Sequence, residues 1–304
     1  MDGASGDEKL AISQAIQELE AGGSTAGAAG IKTAYQIAHK NFIKNGNNRV
    51  ILATDGDFNV GVSSEGELVR LIEKERDKGI FLSVLGFGTG NVKDNKMEAL
   101  ADNGNGNYAY IDTILEARKV LVEEMGGTLL TIAKDVKLQV EFNPAMVKGY
   151  RLLGYENRML NDEDFDDDTR DAGEMGAGHR VTALYEIIPA DSDAEVPGTD
   201  LKYQQTQVVE SDEWLSIKIR YKEPDQDRSK LLDFVVDSSK ESAVPSESFA
   251  FASAVAEFGM LLRDSRYKGN ASYENVYGRI ANLPSVKADP YKTEFLSLVE
   301  MMME

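Results

Sequence analysis

The sequence predicts an α/β parallel sheet in front, a β-sandwich-like region behind it, and helices at the C-terminus. Three observations carry this. Helical and strand-like runs alternate from residue 8 to 125, the pattern of a parallel sheet. After Gly126-Gly127 the apolar period drops to two and stays there to about residue 237. From residue 247 the period becomes helical again. The chain is therefore divided as 1–126, 127–240 and 241–304, the last region packing on the others.

In the first region, Leu10, Ile12, Ile16 and Leu19 recur at helical spacing over 8–20. Gly22, Gly23 and Ser24 break the chain, and a helix follows over 26–44 with Ile31, Tyr35, Ile37, Ala38 and Phe42 on its apolar side. Val50, Ile51, Leu52 and Ala53 predict a short buried strand ending at Thr54-Asp55. Ser63 and Ser64 are N-cap candidates for a helix to Lys78, carrying Leu68, Leu71 and Ile72 inward and ended by Gly79. IFLSVL (80–85) is a second strand, then come a helix near 94–102, a strand at 107–111 and a helix at 113–125.

The middle region alternates cleanly in three places. Val136, Leu138, Val140 and Phe142 are set against Lys137, Gln139 and Glu141. Val181, Ala183, Tyr185 and Ile187 form a second series, and Leu215, Ile217, Ile219 and Tyr221 a third, against Ser216, Lys218 and Arg220. Strands of this kind joined by polar turns predict a sandwich. NDEDFDDDTRDAGE (161–174) reads as a solvated acidic turn. The C-terminal region predicts helices over 247–265, 271–282 and 289–303, punctuated by Pro284 and Pro290.

The 304 residues carry a formal charge of −19, with 52 acidic and 33 basic side chains. That balance argues against nucleic acid and anionic membrane surfaces as partners and suits attraction of cations. With no cysteine, thiolate nucleophiles, disulfides and Cys-based metal sites are excluded. No run approaches the ~18 apolar residues of a membrane span. The opening MDGASGDEKL has no apolar signal-peptide core.

VILATDGDFNVG (50–61) is the most informative stretch. Ligands of open α/β sheets bind in the crevice outside the carboxyl ends of the strands, where this run places Asp55. The alternative is that Asp55 only makes an Asx-type turn with Gly56. Asp55, Asp57 and Asn59 begin a calcium loop of EF-hand type, but Val60 stands at the glycine position and Gly66 at that of the bidentate glutamate. The loop 161–174 fails similarly, with Asp167 at the glycine position. GGSTAGAAG (22–30) is no phosphate cradle, since Ala28 and Ala29 follow Gly27 where Lys-Ser/Thr is required. His39 falls beside the apolar stripe of its helix and reads as structural, and His179 reads as a solvent-facing residue at a strand start. A metal-dependent hydrolase using Asp55 and Asp57 is the least favoured reading; no nucleophile–base pair is evident.

GGSTAGAAGI (22–31), VILATDGDFNVG and FLSVLGFGTG (81–90) together resemble the second half of a von Willebrand factor type A domain, with its Rossmann-like sheet. The likeness continues through NGNYAYID, AKDVKLQVEFNP, GYENR and GAGHRVTALYEI into the C-terminal helices. Over that length it resembles bacterial cell-envelope proteins in which a type A domain precedes a β-rich and helical extension. The resemblance implies a non-enzymatic protein-binding or adhesion module with a metal-ion-dependent adhesion site. Such a site holds Mg²⁺, or Mn²⁺ or Ca²⁺, through oxygen ligands, and a partner's acidic side chain completes the shell. Thr25 matches the family's loop threonine and Asp55 its T-D-G aspartate. A cell-envelope, periplasmic or extracellular location follows from the resemblance alone.

The family's Asp-x-Ser-x-Ser run has no match before Thr25. Three of the five usual ligands are thus missing, and cation binding is expected to be weak or absent. The strands that precede that threonine in the family have no room before residue 8, so the type A part reads as incomplete at its N-terminal side and the chain as a fragment or a truncated product. The strand at 50–54 then becomes a sheet edge, which invites self-association. A metal-free scaffold is the alternative function.

Overall fold

The computed structural model describes residues 3–19, 27–56, 65–88, 93–124, 126–127, 130–155, 159–170, 172–196, 208–209 and 211–303. The chain divides into two compact units. One comprises Met1–Asp135, Ala172–His179 and Glu223–Asp225; the other comprises Val136–Asp171, Arg180–Lys222 and Gln226–Glu304.

The first unit is built on three parallel strands in the order β1 (Asn48–Thr54), β2 (Ile80–Gly86), β3 (Tyr108–Tyr110). Parallel neighbours need crossovers, and the helical periods of the sequence supply them. The helices are α1 (Lys9–Gln17), α2 (Gly27–Lys40), α3 (Glu65–Arg76), α4 (Asp94–Asn103) and α5 (Ile114–Arg118). Strand β2 is the centre, with Ile80, Leu82 and Val84 fully buried. They share a core with Ile31 and Tyr35 of α2, Leu68 and Ile72 of α3, and Met97, Leu100 and Ala101 of α4. At Gly106 a β-carbon would lie 1.7 Å from the Leu82 carbonyl oxygen, so the chain entering β3 passes too close to β2 for any side chain. Thr113 caps α5, accepting the Glu116 N–H at 3.2 Å, and α5 runs on as a π-helical turn over Lys119–Glu123. Across the other side of the sheet, Val120 packs with Leu85 and Ile111. Strand β6 (Gly173–Gly176), which also falls in this unit, lies beside β4 (Thr131–Phe142), whose first five residues it shares the unit with.

Two expectations for this unit need correction. Strand β1 is not buried: Val50 and Leu52 pack on the core, but Ile51 on the opposite face is 49% exposed. It stands last in the strand order, and among the described residues its Val50–Leu52 face is the one packed on the core with α2–α4. Helix α1 forms where the periodicity places it but buries no residue, and Leu10, Ile16 and Leu19 are exposed.

In the second unit the remainder of β4, with β8 (Glu213–Lys222) and β9 (Lys230–Asp237), forms a sheet in which β8 is central. Strands β8 and β9 are antiparallel, as are β5 (Val147–Leu153) and β7 (Leu184–Pro189), which form a separate pair. Phe142 at the end of β4 stacks on Tyr150 of β5, with ring centroids 4.3 Å apart, and meets Tyr185 of β7 edge-on. The alternation in β4 was read with Lys137 outward and Leu138 inward. The structure reverses this at Lys137 and Leu138, which are 1% and 45% exposed, and keeps it at the strand end, where Glu141 is exposed and Phe142 buried. The acidic segment after β5 lies over the face that carries Lys137, as described below. Nor does the series from Val181 run as a strand from its start, since Val181 is exposed and β7 begins at Leu184.

Four helices close the chain: α6 (Glu247–Leu262), α7 (Tyr273–Ile280), α8 (Pro284–Lys287) and α9 (Pro290–Met301). Ser246, Ser272 and Asp289 cap three of them through side-chain oxygens, and Pro284 and Pro290 open two at the position where a missing N–H costs nothing. Ala254, Val276, Ile280, Val286 and Val299 form their core, and Phe251, Phe258 and Phe295 pack around it edge to face.

Candidate functional site

Strand β1 delivers Thr54 and Asp55 to the carboxyl end of the sheet, in the first unit. The Thr54 carbonyl accepts the Phe87 N–H at 2.8 Å, so the chain leaving β2 stays bonded to the chain leaving β1. The Thr54 hydroxyl accepts the Gly56 N–H at 3.1 Å. The turn predicted from the Asp-Gly pair is therefore closed by the threonine hydroxyl before it. Gly56 has φ +80°, and a β-carbon there would sit 3.2 Å from the Lys93 nitrogen. Glycine is needed on both counts.

Asp55 itself is exposed at this end of the sheet. Gly88, with φ +104°, passes beside it: a β-carbon on Gly88 would lie 3.6 Å from that of Asp55. Two tyrosines of β3 fix the surroundings. Tyr110 donates its hydroxyl to the Gly88 carbonyl, holding the segment after β2 near Asp55. Tyr108 donates to the carboxylate of Asp94, the first residue of α4. Burial, then the bond to Asp94, pushes the Tyr108 hydroxyl pKa well above its ordinary value. Residues two apart on a strand face the same side, so the Y-A-Y spacing was the available signal for this pair; the sequence reading did not use it.

Thr25 lies outside the described residues, as do Asp57, Asn59, Ser63 and Ser64. Among the described residues, no group of three or more His, Asp or Glu is placed to hold a metal ion. A hard divalent cation takes about six oxygen ligands, and of the expected donors Asp55 alone is described. The described donor set does not make a cation shell. The histidines stand elsewhere. His39 meets the Glu75 carboxylate through Nε2, while exposed His179 follows β6 in a turn rather than starting a strand.

The first part of the chain, residues 3–123, matches the model of the von Willebrand factor type A domain. Residues 127–304, more than half of the chain, match the family described as uncharacterized protein YfbK, C-terminal. The chain belongs to the YfbK family. The uncharacterized protein YfbK of Escherichia coli (strain K12) is 42% identical over 301 residues, which cover 98% of this chain and 52% of that protein. This YfbK-family chain thus spans about half the length of the curated relative it matches. A von Willebrand factor type A structure from Catenulispora acidiphila overlays 91% of it with 63% of that chain, at 17% identity and a TM-score of 0.42. The conserved hypothetical protein BatB from Bacteroides thetaiotaomicron overlays 39% of it with 68% of that chain, at 18% identity and a TM-score of 0.33. The type A domain and the YfbK C-terminal region together account for a parallel sheet followed by antiparallel sheets and helices.

Proposed function

We propose that this YfbK-family chain is a non-enzymatic protein-binding module of the type A class, with its recognition surface at the carboxyl end of the parallel sheet. The observation that supports the reading is Asp55: an exposed carboxylate at a strand end, beside a glycine segment that Tyr110 holds. In this reading Asp55 and Thr25 are the oxygen donors of an incomplete metal-ion-dependent adhesion site. Mg²⁺, Mn²⁺ or Ca²⁺ binds weakly or not at all, and the partner is a protein that brings an acidic side chain to the site. A place in the bacterial cell envelope belongs to the same proposal.

A photo-crosslinking residue in place of Phe87, which is exposed next to this surface, tests the reading in cells. The expected result is a discrete protein adduct that disappears when Asp55→Ala is added. An adduct indifferent to Asp55→Ala, or no adduct at all, returns the chain to a metal-free scaffold.

A further inference from the structure

The acidic segment 161–170, NDEDFDDDTR, is mostly exposed, as its composition predicts, but it is anchored at two buried residues. Asp164 and Phe165 are 7% and 8% exposed. Asn161 closes the start of the segment, donating its N–H and its amide to Asp164 Oδ2 at 3.2 and 2.9 Å, and Arg170 Nε meets Asp164 Oδ1 at 3.0 Å. Asp167 Oδ1 folds back on Thr169, accepting its N–H at 2.8 Å and its hydroxyl at 2.7 Å.

Strand cations reach this segment from beneath. Lys137 of β4, the largest fully buried side chain among the described residues, places Nζ 2.5 Å from the Asp167 carbonyl oxygen. Lys222 of β8 places Nζ 2.7 Å from the Asp168 carbonyl oxygen. Arg220, two residues earlier on the same face, pairs with Asp166 and donates Nε to Ser229 Oγ at 2.9 Å, while the Ser229 N–H reaches Asp168 Oδ2 at 3.5 Å. Each strand cation thus meets its own oxygen of the segment: a carbonyl for Lys137 and for Lys222, a carboxylate for Arg220. An ammonium group has three N–H donors to satisfy such oxygens, and a buried one persists only where they are supplied.

We propose that segment 161–170 is a strap latched by the protein's own cations, with the buried Lys137 ammonium holding its middle through the Asp167 carbonyl. The strap therefore closes on the β4–β8 face without any divalent cation. Lys137 is the positioning residue of the latch, and Lys222 and Arg220 extend it along the next strand.

Hydrogen exchange of segment 161–170 in the full chain tests this. In the unaltered protein the strap amides exchange at the same rate with excess EDTA and with millimolar calcium. Lys137→Met keeps the length of the side chain and removes the charge. It speeds strap exchange by about tenfold or more, the loss expected for one charge-assisted hydrogen bond. Should Lys137→Met fail to fold, Lys222→Met gives the same sign of effect from a half-buried position. Strap exchange that slows on adding calcium to the unaltered protein overturns the proposal, and so does an unchanged rate in the folded variants.

Discussion

Glu75 makes part of the stability of the first unit depend on pH. Its carboxylate is nearly buried between His39 and Lys78, whose Nζ lies 2.8 Å away. Burial alone raises its pKa, but the hydrogen bonds from Lys78 and His39 outweigh it and hold the value below the ordinary 4.5. A depressed carboxylate contributes stability that is fully present above the unfolded pKa and is lost as pH falls through the folded one. Glu75→Gln is expected to cost about 1 kcal/mol at neutral pH, since both partners are partly exposed and screened. The difference from the unaltered protein should vanish on acidification below the folded value, read from urea midpoints across pH. An equal difference at every pH contradicts this. At the same scale, Asp55 was legible in the sequence because T-D-G ends an apolar strand. Lys137 was not, because its burial comes from a segment 30 residues away in sequence, and alternation carries no information about what covers a face.

Within the parallel sheet, β2 is buried along its length, while β1 stands at the end of the strand order. Gly106→Ala drives a methyl group into the Leu82 carbonyl and is expected to destabilise by at least about 3 kcal/mol in denaturant titration. A loss under about 1 kcal/mol speaks against the close approach. Strand β1 ends the strand order with Ile51 exposed, an arrangement that invites pairing with another chain. Ile51→Lys is expected to lower self-association in sedimentation velocity, charge on an edge strand being a natural guard against such pairing. Unchanged sedimentation excludes this edge as the contact. The helices and strands of the first unit were readable from period and punctuation. Strands β5 and β9 were not: V-K-G-Y-R-L-L and K-L-L-D-F-V-V-D do not alternate, so their pairing partners decide their structure.

At the scale of the whole molecule, the two units have separate cores, one within the type A match and one within the YfbK C-terminal match. Ile280→Ala in the helical core should cost about 2–5 kcal/mol, since it leaves a cavity among Ala254, Val276 and Val286. If the cores are independent, that loss appears in the unfolding of the second unit and leaves the hydrogen exchange of β2 unchanged. The functional account turns on whether the sheet end of the first unit is a complete cation site. The most direct measurement is isothermal titration of Mg²⁺ and Mn²⁺ into the full chain, with Asp55→Ala in parallel. The account predicts no saturable binding tighter than millimolar, and loss in Asp55→Ala of whatever weak heat is seen. Saturable micromolar binding to the unaltered chain would contradict it.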